Sequence, residues 1–346
     1  MQNLGAKLKM QKYTRRTINR FSLAAIGSLI FKSIPATGQR RSTLKPIPVI
    51  LDTDIGDDID DTWALMMLLR SPRVATKLIT TDFGNTKYRT RLLAKLLQKI
   101  DSANVPIGLG LDPSDKPGNQ SEWLGDYQLG NYQGAIYEDG VEALIETIKS
   151  SSERVTLLCI GPATNIAEAL RRDPSIAENA RFVGMHGSIK RGYDGEEGPA
   201  KEWNVKVDPK SLQKVFDAPW ECTIAPLDTC GLIKLKGKRY QKIFNNDDPW
   251  IRALIDNYKA WLPKADWLEP KPNFNTASST LFDTLAVHLT YSEKFLVMED
   301  LRIRVTDEGY TVLDEKNGRV VRCALGWEDQ SAFEDELVRI LTNRLG

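Results

Sequence analysis

Short apolar runs alternate along the chain with segments of helical periodicity. The apolar runs are rich in β-branched residues and predict strands at 47–51, 75–81, 105–108, 155–160, 180–185 and 223–227. Helical patterns lie between them, most clearly at 62–69, 87–100 and 140–150. This alternation predicts an α/β fold with a mostly parallel central sheet and helices on both faces, an open sheet of the Rossmann-like type.

The rest of the pattern predicts a long excursion and a different C-terminal region. Residues 109–135 are rich in Gly, Asp, Pro and Asn and show no clear periodicity. A helix is predicted after the capping residue Asp248, with Pro249 in its first turn, and a proline-rich linker follows at 263–275. Short alternating runs at 301–305, 310–313 and 320–324 predict a short antiparallel excursion, and 331–345 predicts a closing helix.

Composition places the chain among ordinary globular proteins. Of its 346 residues, 41% are hydrophobic and 27% are charged, and the formal net charge is +1. A chain so nearly neutral is not expected to bind nucleic acid, which is recognised through strongly basic surfaces. The four cysteines show no metal-ligand spacing and predict small buried residues, and the sequence does not pair them: Cys159, Cys222, Cys230 and Cys323.

The N-terminal residues predict export. Arg15 and Arg16 precede an apolar stretch of eleven residues at 21–31, and small residues at 35–39 offer a cleavage site. This arrangement resembles a twin-arginine export signal. We therefore expect residues 1–38 to be an export signal and 39–346 to form a single α/β domain, periplasmic or extracellular. A bilayer span takes about twenty apolar residues, so no permanent membrane span is expected, and an uncleaved anchor is the alternative.

An acidic run follows the first predicted strand directly. It places six carboxylates in ten residues: Asp52, Asp54, Asp57, Asp58, Asp60 and Asp61. Like charges this dense cannot share a buried strand end without a compensating cation, because desolvation and repulsion would keep some of them protonated. The helix that follows aims the run at the carboxyl edge of the sheet, where ligands bind. The run predicts a metal site or an acid–base site, with a solvated acidic loop as the alternative.

Five separate segments together resemble the inosine-uridine-preferring nucleoside hydrolase family, which comprises calcium-dependent ribonucleoside N-glycosidases. The segments are 52–61, 83–85, 159–165, 200–209 and 281–287, which span most of the chain from residue 46 onward. The resemblance implies a nucleoside hydrolase-like fold and hydrolysis of a ribonucleoside, or a related N-riboside, to free base and ribose. It also implies a small-molecule nucleoside as substrate, Ca²⁺ as cofactor, and a homo-oligomer, because members are usually dimers or tetramers.

The resemblance assigns four groups to the calcium ion. Asp54 is implied both as a ligand and as the base that activates a calcium-bound water. Asp61, Asp283 and the main-chain carbonyl of Ile160 are the other implied ligands, and such hard oxygen atoms suit calcium. Taken alone, Asp283 would as readily be read as a helix N-cap.

The register of the acidic run has two solutions. The family's adjacent carboxylate pair aligns with either Asp57–Asp58 or Asp60–Asp61, because this chain has two extra residues after Gly56. We choose Asp60–Asp61, since the predicted helix continues directly from this pair.

Four residues are implied to hold the ribose hydroxyls. They are Asp60, Asn85, Glu202 and Asn204, whose carboxylate and amide groups can select a furanose through paired hydrogen bonds. Asn85 alone would also fit a turn residue, and the nearby Asn165 would fit a helix cap.

The leaving-group side departs from the family pattern. A histidine often precedes the C-terminal aspartate and is assigned to protonating the base, but Phe282 occupies that position here. His288 is favoured as a packed helix residue, whereas His186 is kept as a substrate-binding candidate because its turn is expected at the functional sheet edge. Three aromatic residues are further candidates for contacting the base, with core packing as the alternative for each: Trp203, Tyr258 and Trp261.

Other interpretations of the acidic run account for fewer of the sequence features. A phosphatase that uses an Asp-x-Asp nucleophile would carry Thr or Val where Gly56 stands, and an EF-hand loop would carry Glu where Trp63 stands. A secreted protein that binds calcium and sugar without turnover is motivated by Phe282. The retained Asp54, Asp61 and Asp283 argue against it, because buried charge is costly to keep without use.

Overall fold

The computed structural model describes residues 45–111 and 114–343, so the predicted export signal lies outside the described residues. Within this part of the chain, ten strands form one sheet. They are β1 (Ile47–Thr53), β2 (Val74–Thr81), β3 (Ile107–Leu109), β4 (Ile136–Tyr137), β5 (Val155–Cys159), β6 (Ala180–Gly184), β7 (Cys222–Ile224), β8 (Leu296–Val305), β9 (Thr311–Leu313) and β10 (Arg319–Trp327).

Twelve α-helices accompany the strands in the described residues. They are α1 (Asp60–Arg70), α2 (Thr86–Lys99), α3 (Ser121–Leu124), α4 (Gly140–Ser150), α5 (Thr164–Arg172), α6 (Trp203–Val207), α7 (Pro209–Asp217), α8 (Leu227–Cys230), α9 (Gly237–Phe244), α10 (Pro249–Trp261), α11 (Asp283–Leu289) and α12 (Gln330–Thr342). Short 3₁₀ turns occur at Leu129–Asn131, Pro174–Glu178, Tyr193–Gly195 and Leu262–Lys264.

The sheet has the order β4-β3-β2-β1-β5-β6-β7-β10-β8-β9. The strands from β4 to β7 and on to β10 pair in parallel, whereas β8 pairs antiparallel with both β10 and β9. The α/β fold and its C-terminal antiparallel excursion are therefore confirmed. The chain builds outward from β1 to β4 and then returns to β5 on the other side of β1. This reversal makes a crevice beyond the ends of β1 and β5, where open α/β sheets bind ligands.

Successive residues of β1 feed cores on opposite faces of the sheet. Leu51 belongs to a core with side chains of α1, α2, α10, α11 and α12, whereas Ile50 belongs to a core with α4, α5 and α7. Alternating sides is the rule for a strand, and burial on both faces explains why β1 reads as a continuous apolar run. All four cysteines are buried, as expected, and each is a free thiol. Among the described helices, none combines the length and apolarity needed to cross a bilayer.

Several element boundaries differ from the sequence prediction. β3 begins at Ile107 rather than at residue 105, since Pro106 has no N–H to give to a ladder. β7 ends at Ile224, short of Pro226, for the same reason. Helix α1 begins at Asp60, which is two residues earlier than predicted. The acidic pair Asp60–Asp61 therefore lies in the first helical turn.

Candidate active site

The site begins where the two central strands end. Asp54 follows β1, and Ile160 follows β5; the amide of Ile160 donates to the carbonyl of Asp52 at 2.9 Å and keeps the two strand ends in register. The next residue must be glycine, because a Cβ at Gly161 would lie 2.9 Å from the amide nitrogen of Asp54. The sequence Ile160-Gly161 thus brings a main-chain carbonyl and a carboxylate into one crevice.

Two helix N-termini complete an acidic centre. Asp60 and Asp61 open α1, and Asp283 opens α11, which packs against α1. One carboxylate oxygen from each of the three lies within 4.8 Å of the others, and all three side chains are buried. Asp57 and Asp58 are not members of this cluster. The dipoles of both helices favour negative charge at their N-termini. Three buried carboxylates together are also a donor set that suits a cation.

The cluster holds its protons more tightly than isolated carboxyls do. Burial is the first cause of the raised pKa of Asp60, Asp61 and Asp283, and repulsion among neighbouring carboxylates adds to it. At Asp61, the hydrogen bond from Thr53 Oγ1 and the charge of Arg89 act in the opposite direction and lower the pKa. Without a cation, the ionised cluster therefore costs free energy, and a bound cation would relieve both the desolvation and the repulsion.

Asp54 lies beside the cluster and is also buried. Burial raises its pKa to about 7, while the charge of Arg89 opposes the rise and that of Asp57 reinforces it. Asp54 also raises the pKa of Asp61 and of Asp283, which places its charge within reach of both. A bound cation would oppose this rise, because it favours the ionised carboxylate, which is the form that accepts a proton.

Arg89 is a site residue that the sequence reasoning missed. Its guanidinium is almost fully buried; Nη1 donates to the carbonyl of Asp54 and, at 3.1 Å, to that of Ile55. Nε donates to the carbonyl of Phe83 at 2.6 Å, and Nη2 pairs with Asp57 Oδ2 at 2.7 Å. The chain thus supplies one internal cation for its own acidic run. Its position one helical turn after Asn85, the cap of α2, was the available signal.

The extra residues of the acidic run are clamped through their carbonyls. Three successive carbonyl groups, those of Gly56, Asp57 and Asp58, accept hydrogen bonds from other elements. The donors are Tyr88 Oη at 3.2 Å, Trp261 Nε1 at 2.7 Å and Gln120 Nε2 at 2.8 Å, respectively. Gly56 has φ +117°, a conformation that favours glycine. The segment from Gly56 to Asp58 is therefore a fixed part of the site wall.

Another wall of the site comes from the segment around α6. The Glu202 carboxylate caps α6 by accepting from the amides of Asn204 and Val205, and it also accepts from the amide of Gly187 at 3.1 Å. Asn204 Nδ2 donates to the carbonyls of Ile160 and Met185, both at 3.1 Å. Burial raises the pKa of Glu202 to about 7. The Ile160 carbonyl, an implied calcium ligand, is thereby hydrogen-bonded to Asn204, an implied sugar-binding residue.

Asn85 and Trp203 both line a cavity of about 390 Å³, which Asp57 and Lys116 also line. Asn85 caps α2 by accepting from the amide of Tyr88 at 2.9 Å, and its Nδ2 donates to the Lys116 carbonyl at 3.1 Å. Trp203 is 49% exposed, so its ring is open to a ligand.

The other aromatic candidates lie in the core. Tyr258 and Trp261 are fully buried, and their rings pack on one another with centroids 5.9 Å apart. The hydroxyl of Tyr258 donates to the Ala277 carbonyl at 3.1 Å. Core packing, the alternative in the sequence prediction, describes their placement, and Trp261 contacts the acidic run by donating from Nε1 to the Asp57 carbonyl.

Neither histidine is placed as an acid. His186 is buried, and its Nε2 lies 3.1 Å from the carbonyl of Gly161 in the turn that follows β5. Burial lowers the pKa of His186 to about 3. His288 packs edge-on against Phe333 and contacts the Lys294 carbonyl through Nε2 at 3.0 Å, the helix-packing role favoured for it. Phe282 instead meets the edge of the Tyr193 ring, with centroids 6.0 Å apart.

Asp52 supports the site from behind through partners that the sequence did not identify. It accepts from Asn165 Nδ2 at 2.9 Å and from Thr80 Oγ1. Asn165 is therefore not the cap of α5, which begins one residue earlier. Asp82 is buried beside Asp52, and burial followed by the charge of Asp52 raises its pKa. Asp52 and Asp82 thus lie behind the site and support the ends of the strands.

Comparison with known proteins identifies the class of this fold and site. The sequence profile of the family described as inosine-uridine preferring nucleoside hydrolase matches residues 49–335. The chain belongs to this family. It is accordingly an enzyme, an N-glycosyl hydrolase, with an aspartate cluster able to hold a metal ion.

Named relatives agree with this assignment. The chain is 29% identical over 242 residues to the pyrimidine-specific ribonucleoside hydrolase of Enterobacter sp. (strain 638), covering 64% of this chain and 74% of the relative. It is 29% identical over 226 residues to the non-specific ribonucleoside hydrolase of Klebsiella pneumoniae (strain 342), covering 62% and 73%.

Solved structures share the fold. A plant nucleoside hydrolase superposes with a TM-score of 0.72 at 19% identity, covering 87% of this chain and all of the other. The purine-preferring ribonucleoside hydrolase from Gardnerella vaginalis gives 0.67 at 22% identity, covering 85% and 98%.

Proposed function

We propose that this enzyme hydrolyses the N-glycosidic bond of ribonucleosides to free base and ribose, with Ca²⁺ at the acidic centre and Asp54 as the base. The observation that carries the proposal is the convergence of three buried carboxylates, from Asp60, Asp61 and Asp283, beside Asp54 at the switch point of the sheet. The names of the relatives, which act on ribonucleosides, support the choice of substrate class.

The donor set fits calcium. Asp54, Asp61, Asp283 and the carbonyl of Ile160 would hold the ion through oxygen atoms alone, which is the preference of Ca²⁺. The carbonyl of Ile160 already accepts one hydrogen bond, from Asn204, and a carbonyl oxygen has a second lone pair for a ligand. When bound, the ion would orient water and the sugar diol together and lower the pKa of the water.

The residues of the chain would supply proton transfer and sugar binding. Asp54 takes the proton of the attacking water, and its main chain is held in place by Arg89. Asp60 accepts hydrogen bonds from the ribose hydroxyls, together with Glu202 and Asn204 on the opposite wall. An oxocarbenium-like sugar is stabilised by such negative charge, and a positioned nucleophile removes much of the entropic barrier.

The cavity beside the centre would receive the rest of the nucleoside. Asn85 and Trp203 line it, so Asn85 can exchange its bond to the Lys116 carbonyl for one to a ribose hydroxyl, and Trp203 can stack on the base. His186 and His288 are both buried, and burial lowers the pKa of each. Neither histidine is therefore assigned to protonating the base.

A nucleoside panel with calcium tests this function. Purified protein should release ribose from at least one of uridine, cytidine, inosine, adenosine and guanosine, and a chelator should abolish the release. Asp54→Asn should lower kcat by about two to four powers of ten if Asp54 is the base. Asp247→Asn, at an exposed position outside the site, is the matched control and should be unchanged. Calcium binding without release from any N-riboside would refute the hydrolase activity.

We also propose that residues 1–38 direct export as a twin-arginine-like signal. Arg15 and Arg16 before the apolar stretch support this. The full chain should appear outside the cytoplasm in a host with a twin-arginine pathway. Replacing both arginines with lysine should retain it inside; export that persists without that pathway would contradict the proposal.

The resemblance further supports a homo-oligomer, a dimer or tetramer. Light scattering of the purified protein should give a mass at least twice that of the 38.9 kDa chain, before any signal removal. A monomer at all concentrations would overturn this.

A further inference from the structure

The loop between β6 and α6 presents one tyrosine in a fixed turn. Tyr193 opens a 3₁₀ turn in which Asp194 and Gly195 have φ values of +53° and +79°. The amide of Glu196 donates to the Tyr193 carbonyl at 3.1 Å, and Asp194 pairs with Lys234 at 2.7 Å. Contacts on both sides of the turn therefore hold the tyrosine in position.

The phenol oxygen of Tyr193 lies at the α6 wall of the site. It accepts a hydrogen bond from the amide of Trp203 at 2.8 Å, immediately between Glu202 and Asn204 in sequence. In the described residues, the hydroxyl hydrogen itself has no acceptor. A hydroxyl that already accepts from the main chain is oriented, and its hydrogen is left to donate.

The ring of Tyr193 also contacts the residue that precedes Asp283. Its edge meets Phe282 with an interplanar angle of 83°, and Phe282 directly precedes Asp283 of the acidic cluster. Tyr193 is 37% exposed, so part of its side chain is accessible to a ligand. Tyr193 therefore contacts a neighbour in sequence of Glu202 and a neighbour in sequence of Asp283.

Burial, reinforced by the surrounding charge, keeps the phenol protonated. Burial is the main cause of the raised pKa of Tyr193, and the negative charges of Glu202 and Asp58 add to it. A protonated phenol is a donor throughout the neutral pH range, and the groups expected to bind sugar around it are carboxylates and an amide. The site gains one neutral donor here that its carboxylates cannot provide.

We infer that Tyr193 is a substrate-contacting residue whose hydroxyl donates a hydrogen bond to a sugar hydroxyl of the bound nucleoside. This inference rests on the proposed function. The sugar is the partner because the phenol oxygen accepts from the amide of Trp203, which stands between Glu202 and Asn204, two residues proposed to hold the ribose hydroxyls.

Tyr193→Phe tests the contact because it removes only the hydroxyl. With a ribonucleoside that the wild type hydrolyses, kcat/KM should fall about 5- to 150-fold, the range for a lost hydrogen bond that leaves its partner unpaired. Tyr137→Phe, on the β4 edge strand and 47% exposed, should be unchanged. Equal urea midpoints for both variants show that folding is not the cause.

Deoxynucleosides identify the partner. The 2′-, 3′- and 5′-deoxy analogues, used as substrates or competitive inhibitors, should include one for which Tyr193→Phe causes no further loss. An equal loss with every analogue, or no loss with the parent nucleoside, would overturn the inference.

A failure of the proposed function would show itself separately. If the wild type releases ribose from no nucleoside, quenching of tryptophan fluorescence by nucleosides still measures binding to wild type and Tyr193→Phe. Weaker binding by the variant supports the contact, whereas equal binding refutes it.

Discussion

Nη2 of Arg89 lies 2.7 Å from Oδ2 of Asp57, and the same guanidinium donates to the carbonyl of Asp54. Asp57 is thus joined to the proposed base through one buried cation. Asp57 raises the pKa of Asp54 and Arg89 lowers it, so the pair partly cancels as a source of charge at Asp54. Its principal effect is to fix the acidic turn.

Arg89→Met should destabilise the protein far more than Asp57→Asn does. The first change leaves buried carbonyls without donors and the acidic run without its internal cation, a loss of about 3–5 kcal/mol in the free energy of unfolding. The Asp57 side chain is 42% exposed, so its removal should cost about 1 kcal/mol or less. Urea unfolding measures both, and similar losses would show that Arg89 acts mainly through the ion pair.

Calcium-free protein should lose stability as pH rises from about 4 to 7. Burial raises the pKa of Asp52 to about 6 and of Asp54 to about 7, from 3.8. The folded state therefore binds more protons than the unfolded state in this window, and the stabilisation present below pH 3.8 is lost as these groups ionise. Thermal unfolding in chelator should show this fall. Calcium should raise Tm most at the upper end, and a calcium effect that is equal at both ends would contradict the assignment.

Asp61→Asn should stabilise the calcium-free protein while weakening calcium binding. The amide removes one charge from a repulsive buried cluster and keeps an oxygen to accept from Thr53 Oγ1. Calorimetric calcium affinity should fall on the order of 100-fold, at least the size of effects seen when groups outside the ligand shell are removed. The exposed Asp247→Asn should alter neither quantity. A less stable calcium-free variant would indicate that Asp61 is paired rather than repelled.

Diethyl pyrocarbonate should leave the folded enzyme active. His186 and His288 are buried, and burial lowers the pKa of both. Neither imidazole is accessible to the reagent or positioned to protonate a base. Residual activity after treatment measures this, with unfolded protein as the positive control for modification. Inactivation that substrate prevents would place a histidine in the reaction.

The sequence was sufficient where a local pattern determines a local structure. Continuous apolar runs located β1, β2, β5 and β6, and Asp248 with Pro249 located α10. Boundaries moved where a proline removed a donor, as at Pro106. The convergence of Asp60, Asp61 and Asp283 was implied by family resemblance alone, because no local rule relates α1 to α11.

The contacts that were missed are long-range and polar. Arg89 reads locally as an ordinary helix residue, and only the folded chain shows that it donates to carbonyls at 54 and 55. Asn165 follows a turn and fits a cap, yet its amide bonds Asp52. Tyr193 lies in a polar loop whose path no periodicity predicts. Each depends on the docking of one element against another.

The separation along the chain between Asp61 and Asp283 has a consequence for biosynthesis. α1 is made early, whereas α11 follows only after most of the sheet has been synthesised. Until then the first carboxylates lack the partner that completes their cluster. Tight retention of a cation would therefore report that the polypeptide is full-length and folded, and chains shortened before residue 283 should elute from a calcium-loaded gel filtration column without the ion.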